Sequence, residues 1–478
     1  MEKKELFSSR LGLILTGIGM AVGTGSIWRF PRIVSQYGGG SFLIPWLIFL
    51  FIWSIPLLIL EFTLGKTARK GTIGSFAKIL GENYAWMGTF LGFCCSAIMF
   101  YYSVVTGWCI KYLVASITGS VYSQDGIAYW NTFIGSRWEP ILYQFIAMFI
   151  CAYIIYKGVK GIEWTNKIMI PAFFVILLVA VVRSVTLPGA VQGLNYLFTP
   201  SLEKLFDYKV WLQALTQSAW STGAGWGLVL TYAIYTKENE DKVLNCSIMG
   251  FGVYSASLIC AIAIVPVVFA FRPEDAVKLV QESGPANTGL TFIWIPQLFA
   301  KMYAGRFLLI FFFIAVCFAA ITSLIAMIEL ATRLLMDMGW TRTKSIITVS
   351  TVGFLIGVPS ALNSKFFDNQ DWVWGIGLLV SGLFISIVAI SKGVKRFRET
   401  YINKEGDDIR LGRLFDYLIF LIPVQFIILV WWWFSQAGGW TDIFSSYSVG
   451  TCLFQWGIMI ILFIIFNKAI VRRTMKGE

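Results

Sequence analysis

Hydrophobic positions in this chain run on in long blocks, too continuous for a half-buried strand or a one-faced helix. Twelve apolar segments stand out, at about 10–36, 41–65, 86–118, 141–157, 165–184, 209–235, 243–271, 304–336, 342–360, 371–391, 414–435 and 450–468. Most approach the roughly 20 residues that span hydrocarbon as a helix. They are numbered 1 to 12 below. The pattern predicts an all-α integral membrane protein of twelve transmembrane helices and no sizeable soluble domain. The first apolar run follows a charged start and is read as an uncleaved span, because Arg29-Phe30-Pro31 and further spans follow it.

Two segments break the rule that a spanning helix avoids helix breakers. Segment 1 carries Gly19, Gly23 and Gly25, then Arg29 and Pro31. Segment 6 carries Gly223, Gly225 and Gly227 within Ser221-Thr222-Gly223-Ala224-Gly225-Trp226-Gly227. Glycine costs a helix interior about 1 kcal/mol and proline about 3. Small residues for close helix packing would account for the glycines, but not for Arg29-Phe30-Pro31. Backbone that unwinds inside a membrane must be buried in protein or line a cavity. Both segments are therefore expected to unwind at mid-membrane depth and expose carbonyls and N–H groups.

The two interruptions fall at corresponding places. Segments 1–5 (10–184) and 6–10 (209–391) form two five-helix halves, with segments 11 and 12 (414–468) appended. An odd number of spans per half makes the second enter from the opposite face, an inverted repeat. Interrupted spans at matching positions of such halves point to the midplane site of a secondary transporter, the architecture that rule was drawn from. The outer loop near 272–303, with Pro273, Gly284-Pro285 and Pro296, is expected to form a hairpin lid.

Composition sharpens this picture in two places. The net charge of +12 could suggest a nucleic-acid binder, but the charges follow topology instead. With the N-terminus inside, the tails and loops on that face hold 26 of the 38 Lys and Arg. Both termini are thus expected in the cytoplasm of a cell whose plasma membrane holds the protein. Histidine is absent and the eight cysteines show no metal or disulfide spacing. An enzyme is not expected.

The residues Arg10-Leu11-Gly12-Leu13-Ile14-Leu15, Ala21-Val22-Gly23, Gly25, Trp28-Arg29-Phe30-Pro31, Gly38-Gly39-Gly40-Ser41-Phe42, Pro45, Glu61, Tyr101-Tyr102, Gln217, Thr231-Tyr232 and Thr322-Ser323 resemble those of the neurotransmitter:sodium symporters, in their bacterial amino-acid branch. The resemblance covers nearly the whole chain. It implies a sodium-coupled symporter importing a neutral amino acid by alternating access.

By that resemblance, one sodium site combines the carbonyls of Gly19, Val22 and Ala319 with the hydroxyls of Thr322 and Ser323. The second site departs from the family pattern. Ser26, Val253 and Ser221 stand where two asparagines and a threonine are usual, so this site is expected weak or absent. Trp46 replaces a tyrosine hydroxyl expected at the chloride site, with Ser257 nearby, and no chloride dependence is expected. Gly23 stands where monoamine carriers have aspartate. A substrate carboxylate would meet Gly23, Gly25 and Tyr102, and its amine the carbonyls of Ala21 and Ser221. The side-chain pocket would comprise Ile98, Trp220, Gly223, Trp226, Ser323 and Met327. Arg29 and Asp371, at the expected start of segment 10, would form the outer gate, and Lys4 and Asp337 the inner one. Glu61 is expected to hold the unwound backbone of segment 6. A betaine-like zwitterion carried on the same fold, or a channel, are the alternative readings. The partners expected are a small zwitterion and the lipid bilayer, with no nucleic acid, the chain being a monomer or homodimer.

Overall fold

The computed structural model describes residues 5–123, 125–281, 288–404 and 407–476. Among them, nine unbroken helices are long and apolar enough to cross a membrane. Two bent pairs, Arg10–Ala21 with Thr24–Gln36 and Val449–Ile465 with Asn467–Thr474, bring that to eleven. The remaining expected segment, 209–235, is split into helices Tyr208–Ser221 and Leu228–Ala233 by a six-residue break.

Both breaks have local causes. In segment 1 the first helix ends at Ala21, and the Gly23 N–H turns back to the Ala21 carbonyl at 2.7 Å. The second helix starts at Thr24, with the two axes at 56°. In segment 6, Gly223, Gly225 and Gly227 take φ of 69°, 93° and 78°, left-handed values that cost glycine little and other residues much. The two breaks face each other, since a Cβ added to Gly223 would lie 3.7 Å from both Ala21 Cβ and Met20 Cε.

Burial separates a central group from a lipid-facing rim. The apolar windows of segments 3 and 10 are 83% buried, whereas those of segments 5 and 11 are only 22% and 28% buried. Segment 3 packs along both segment 8 and segment 10, and segment 8 also lies against helices Arg10–Ala21 of segment 1 and Leu228–Ala233 of segment 6. Phe149, Val182, Leu355 and Ile427 on the rim are exposed, as helices facing hydrocarbon require.

Two segments are longer than their hydropathy indicates. Segment 5 runs Gly158–Val185 rather than from 165, because its charged first turns find partners. Glu163 accepts from the Ser8 N–H at 2.8 Å and pairs with Lys167 at 2.7 Å. Segment 10 runs Ser364–Ser391, capped by Asn363, whose side chain accepts from the N–H groups of Lys365 and Phe366. Asp371 therefore sits inside this helix, about two turns from its start, and not at its beginning as the sequence indicates. Part of the 272–303 stretch is helical, at Ala276–Gln281 and Ile295–Ala300, and 282–287 lie outside the described residues. Gln281 docks this stretch on segment 1 through the Ser35 carbonyl, at 3.0 Å.

Candidate functional site

A cavity of about 520 Å³ opens where the two breaks meet. Ala21, Gly23, Gly25 and Ser26 line it from segment 1, and Ser221, Gly223 and Trp226 from segment 6. Ile98 and Tyr102 of segment 3, Ser323 and Met327 of segment 8, and Trp220 complete the expected pocket. All eleven substrate-pocket positions named from the sequence thus border one space. Val105, Phe367 and Ile376 also line it. Sequence reasoning missed them because nothing separates such apolar residues from ordinary core.

The polar end of this space is built by the second half of segment 1. Tyr102 Oη accepts from the Thr24 N–H at 3.2 Å, at the N-terminus of helix Thr24–Gln36. That terminus carries positive partial charge and free N–H groups, a setting for an anion. A Cβ on Gly25 would meet nothing within 4 Å, so the backbone there is open to the cavity. A Cβ on Gly23 would lie 3.1 Å from Tyr102 Oη and 3.2 Å from Ser323 Oγ, so a larger residue crowds both hydroxyls. At the apolar end, Trp220 and Trp226 meet edge to face, with ring centroids 6.2 Å apart.

Of the five expected ligands of the first sodium site, Ser323 lines this cavity. Ser323 Oγ lies 3.4 Å from the Gly19 carbonyl, and Thr322 Oγ1 lies 3.2 Å from the Ala319 carbonyl. The break frees carbonyls here. The Gly23 N–H turns to Ala21, that of Thr24 to Tyr102, and that of Ser26 to the Gly23 carbonyl. Gly19, Met20 and Val22 thereby lose the donors a continuous helix would supply. Val22, Ala319 and Thr322 are fully buried. A desolvated set of carbonyl and hydroxyl oxygens suits a hard cation and lacks the charge to demand a divalent one.

The positions of the second site look different. Ser26 Oγ and Ser221 Oγ are buried without a hydrogen-bond partner, and so is Gln217 Oε1. Val253 is buried and adds no side-chain oxygen. Ser257 Oγ donates back to the Val253 carbonyl at 3.0 Å. Trp46 stacks flat on Tyr254, centroids 3.9 Å apart.

Glu61 does what its sequence position suggests. It is fully buried and accepts from the Gly225 N–H in the unwound stretch of segment 6. One turn on, a Cβ at Gly65 would strike the Leu230 carbonyl at 2.0 Å. A carboxylate and a glycine on one face of segment 2 thus receive the broken helix, one as acceptor and one as space.

The two ends of the cavity are unlike. Towards Tyr37, Gln213, Trp433 and Tyr447 it is open. Arg29 and Asp371 both line it, yet they form no direct ion pair. The Arg29 guanidinium instead lies over the Trp220 ring, 4.8 Å from its centroid. A niche at Gly375 receives the far edge of that ring, where a Cβ would meet Trp220 Cη2 at 2.3 Å. The opposite end is shut. Arg342 grips the fully buried Glu329 with both guanidinium arms, at 2.7 and 3.1 Å, and Tyr235 Oη donates to the same carboxylate at 2.7 Å. Arg69 donates to the carbonyls of Ile234 and Thr236. The Phe7 N–H donates to the Tyr235 carbonyl, and the Phe7 ring stands edge-on to Tyr232. Lys4, the expected inner-gate base, lies outside the described residues. Asp337 pairs with Arg333 one turn back, at 2.9 Å, and accepts from the Gly71 N–H. An i,i+4 partner on the same helix orders fewer groups than a distant one.

A family model described as the sodium:neurotransmitter symporter family matches residues 4–133 and 131–471. An uncharacterised sodium-dependent transporter of Methanocaldococcus jannaschii is 29% identical, covering 99% of both chains. The sodium- and chloride-dependent GABA transporter 2 of Rattus norvegicus is 28% identical, over 84% of this chain and 76% of its own. Among solved structures, MhsT in complex with L-phenylalanine superposes with a TM-score of 0.79 at 29% identity, covering 90% of this chain and 99% of its own. With its helical breaks, its central cavity and this end-to-end match, the chain belongs to the sodium:neurotransmitter symporter family, whose members are sodium-dependent membrane transporters and not enzymes.

Proposed function

We propose that the protein imports a neutral, apolar amino acid together with one sodium ion per cycle, both termini lying in the cytoplasm. The observation that carries this reading is the cavity between the breaks, lined both by the half-helix N-terminus at Thr24 and by two tryptophans. The carboxylate would take the N–H groups near Gly23 and Gly25 and the hydroxyl of Tyr102. The ammonium would meet the carbonyls of Ala21 and Ser221. No charged side chain belongs to the proposed side-chain pocket of Ile98, Trp220, Gly223, Trp226, Ser323 and Met327, which favours an uncharged substrate. The phenylalanine bound to MhsT is of that class.

Sodium, as co-substrate, would bind Gly19, Val22, Ala319, Thr322 and Ser323. Ser323 lines the cavity and also touches the Gly19 carbonyl, so one side chain would sense both passengers. With sodium and substrate in place, Arg29 and Asp371 would close the outer end. The Glu329–Arg342 cluster and the Asp337 end of segment 8, with Lys4, would then open the inner one. This exchange between two states around a fixed site is alternating access. One bundle of helices would rock against the other around the site, in a chain built of two inverted repeats, 10–184 and 209–391. Chloride would have no role, since Trp46 stands where a tyrosine hydroxyl is usual and the Ser257 hydroxyl is back-bonded to Val253.

A betaine-like substrate is disfavoured because Arg29 already covers the Trp220 face that a quaternary amine would use. A channel is disfavoured by the sealed inner end. The test is uptake by the purified protein in liposomes, with a panel of amino acids and betaines in sodium, lithium or choline. Saturable, sodium-driven uptake of apolar amino acids is expected. Uptake independent of sodium, or conductance without saturation, would refute the proposal.

A further inference from the structure

One buried oxygen beside the proposed cation site belongs to no ligand set described so far. Asn166, on segment 5, is fully buried. Its Nδ2 donates to the Ile162 carbonyl at 2.9 Å, within its own helix. Because a carbonyl only accepts, that contact fixes which end of the amide is nitrogen. The other end, Oδ1, has no hydrogen-bond partner. It lies against the bare Cα of Gly19, in the last turn of the first helix before the break, since a Cβ added there would fall 2.1 Å from it.

The surroundings make that oxygen unusual. Gly12 and Gly19 lie seven residues apart, on one face of the first helix, and segment 5 packs there against their bare backbone. At the Gly12 level the facing side chain is Glu163, held by Ser8 and Lys167. At the Gly19 level it is Asn166, and nothing holds its oxygen. Gly19 is also the residue whose carbonyl meets Ser323. An unpaired acceptor thus lies beside Gly19, whose carbonyl is one of the proposed ligands. Such an arrangement is unfavourable when empty, because buried acceptors without donors are costly and repel one another. A cation among them removes both costs.

We propose that Asn166 Oδ1 is a sixth oxygen ligand of the sodium site, closing it on the side of segment 5. This rests on the reading of Gly19, Val22, Ala319, Thr322 and Ser323 as the other five. It adds a third segment to a site otherwise drawn from segments 1 and 8, and couples the fifth helix to cation binding.

The test is the thermal unfolding midpoint of the purified full-length protein, titrated with sodium chloride against choline chloride at constant ionic strength. The variants are Asn166→Leu, Asn166→Asp, and Thr322→Val with Ser323→Ala. Asn166→Leu keeps size and removes the oxygen. It is expected to raise the half-stabilising sodium concentration about tenfold, within the range for altering a metal site's supporting groups. Asn166→Asp adds a charge to the ligand and is expected to lower that concentration. The double variant is expected to show no sodium response. If Asn166→Leu titrates as wild type while the double variant is flat, the Asn166 proposal fails and the five-oxygen site stands. If the double variant also titrates as wild type, the five-oxygen reading itself fails. Should Asn166→Leu not fold, Asn166→Asp decides alone, and an unchanged sodium concentration would overturn the proposal.

Discussion

The oxygens around Thr322 and those around Ser26 both draw on the first break, yet they differ in how they are held. At Thr322, each hydroxyl already touches a carbonyl, and the freed carbonyls converge from two segments. At Ser26, the hydroxyls of Ser26 and Ser221 have no partner, and Val253 adds no oxygen. The comparison teaches that an unwound helix does not make an ion site by itself. It makes acceptors, and neighbouring helices decide whether enough side-chain oxygens join them. Here segment 8 supplies a threonine and a serine, while segment 7 supplies a valine.

The largest effect should follow from erasing the better set. Thr322→Val with Ser323→Ala is expected to abolish sodium-stimulated uptake, a loss of more than about a hundredfold, beyond that seen for outer-shell changes. Flux unchanged in a sodium jump would contradict it. Next comes Glu61→Ala, which strips the acceptor from the Gly225 N–H. An orphaned buried donor costs about 1–3 kcal/mol, so the unfolding midpoint should drop. Substrate affinity should suffer more than sodium affinity, because this break holds Ser221 and not Thr322. Equal losses for both ligands would show the two sets are not separable.

A smaller change is expected from Gly23→Ala, whose added methyl crowds Tyr102 and Ser323. Overpacking by one carbon typically costs about 1–3 kcal/mol, read here as a rise in the substrate concentration for half-maximal uptake. The mildest and most informative variant is Ser26→Asn with Val253→Asn, which returns amide oxygens to the poorer set. The Hill coefficient for sodium should climb from near one to near two. A coefficient already near two in the wild type would remove the distinction between the sets.

Much of this was legible in the residues. Glycines two and four apart inside apolar runs announced both breaks, and in segment 6 no other residue takes φ near 70–90° cheaply. The pocket followed from the resemblance once the breaks were placed. Boundaries were less visible wherever a polar side chain serves as a cap or a buried partner. Asn363 adds two turns to segment 10, and Glu163 is neutralised by Ser8 and Lys167 from a direction that hydropathy does not record. The Arg29–Trp220 contact and the Gly375 niche were invisible for another reason. They depend on which of two partners a long side chain prefers in one conformation, and sequence spacing names both. Asn166 was unreadable as well, since an asparagine in a span is ordinary until its oxygen is found with no donor.

The tail residue Phe7 bears on speed rather than affinity. Its backbone and ring are fastened to Tyr235 and Tyr232 at the shut mouth. Anything leaving on that side would have to wait for the residues around Phe7 to peel away. Turnover would then be clocked by the tail's release, and trimming the tail should quicken exchange while spoiling accumulation.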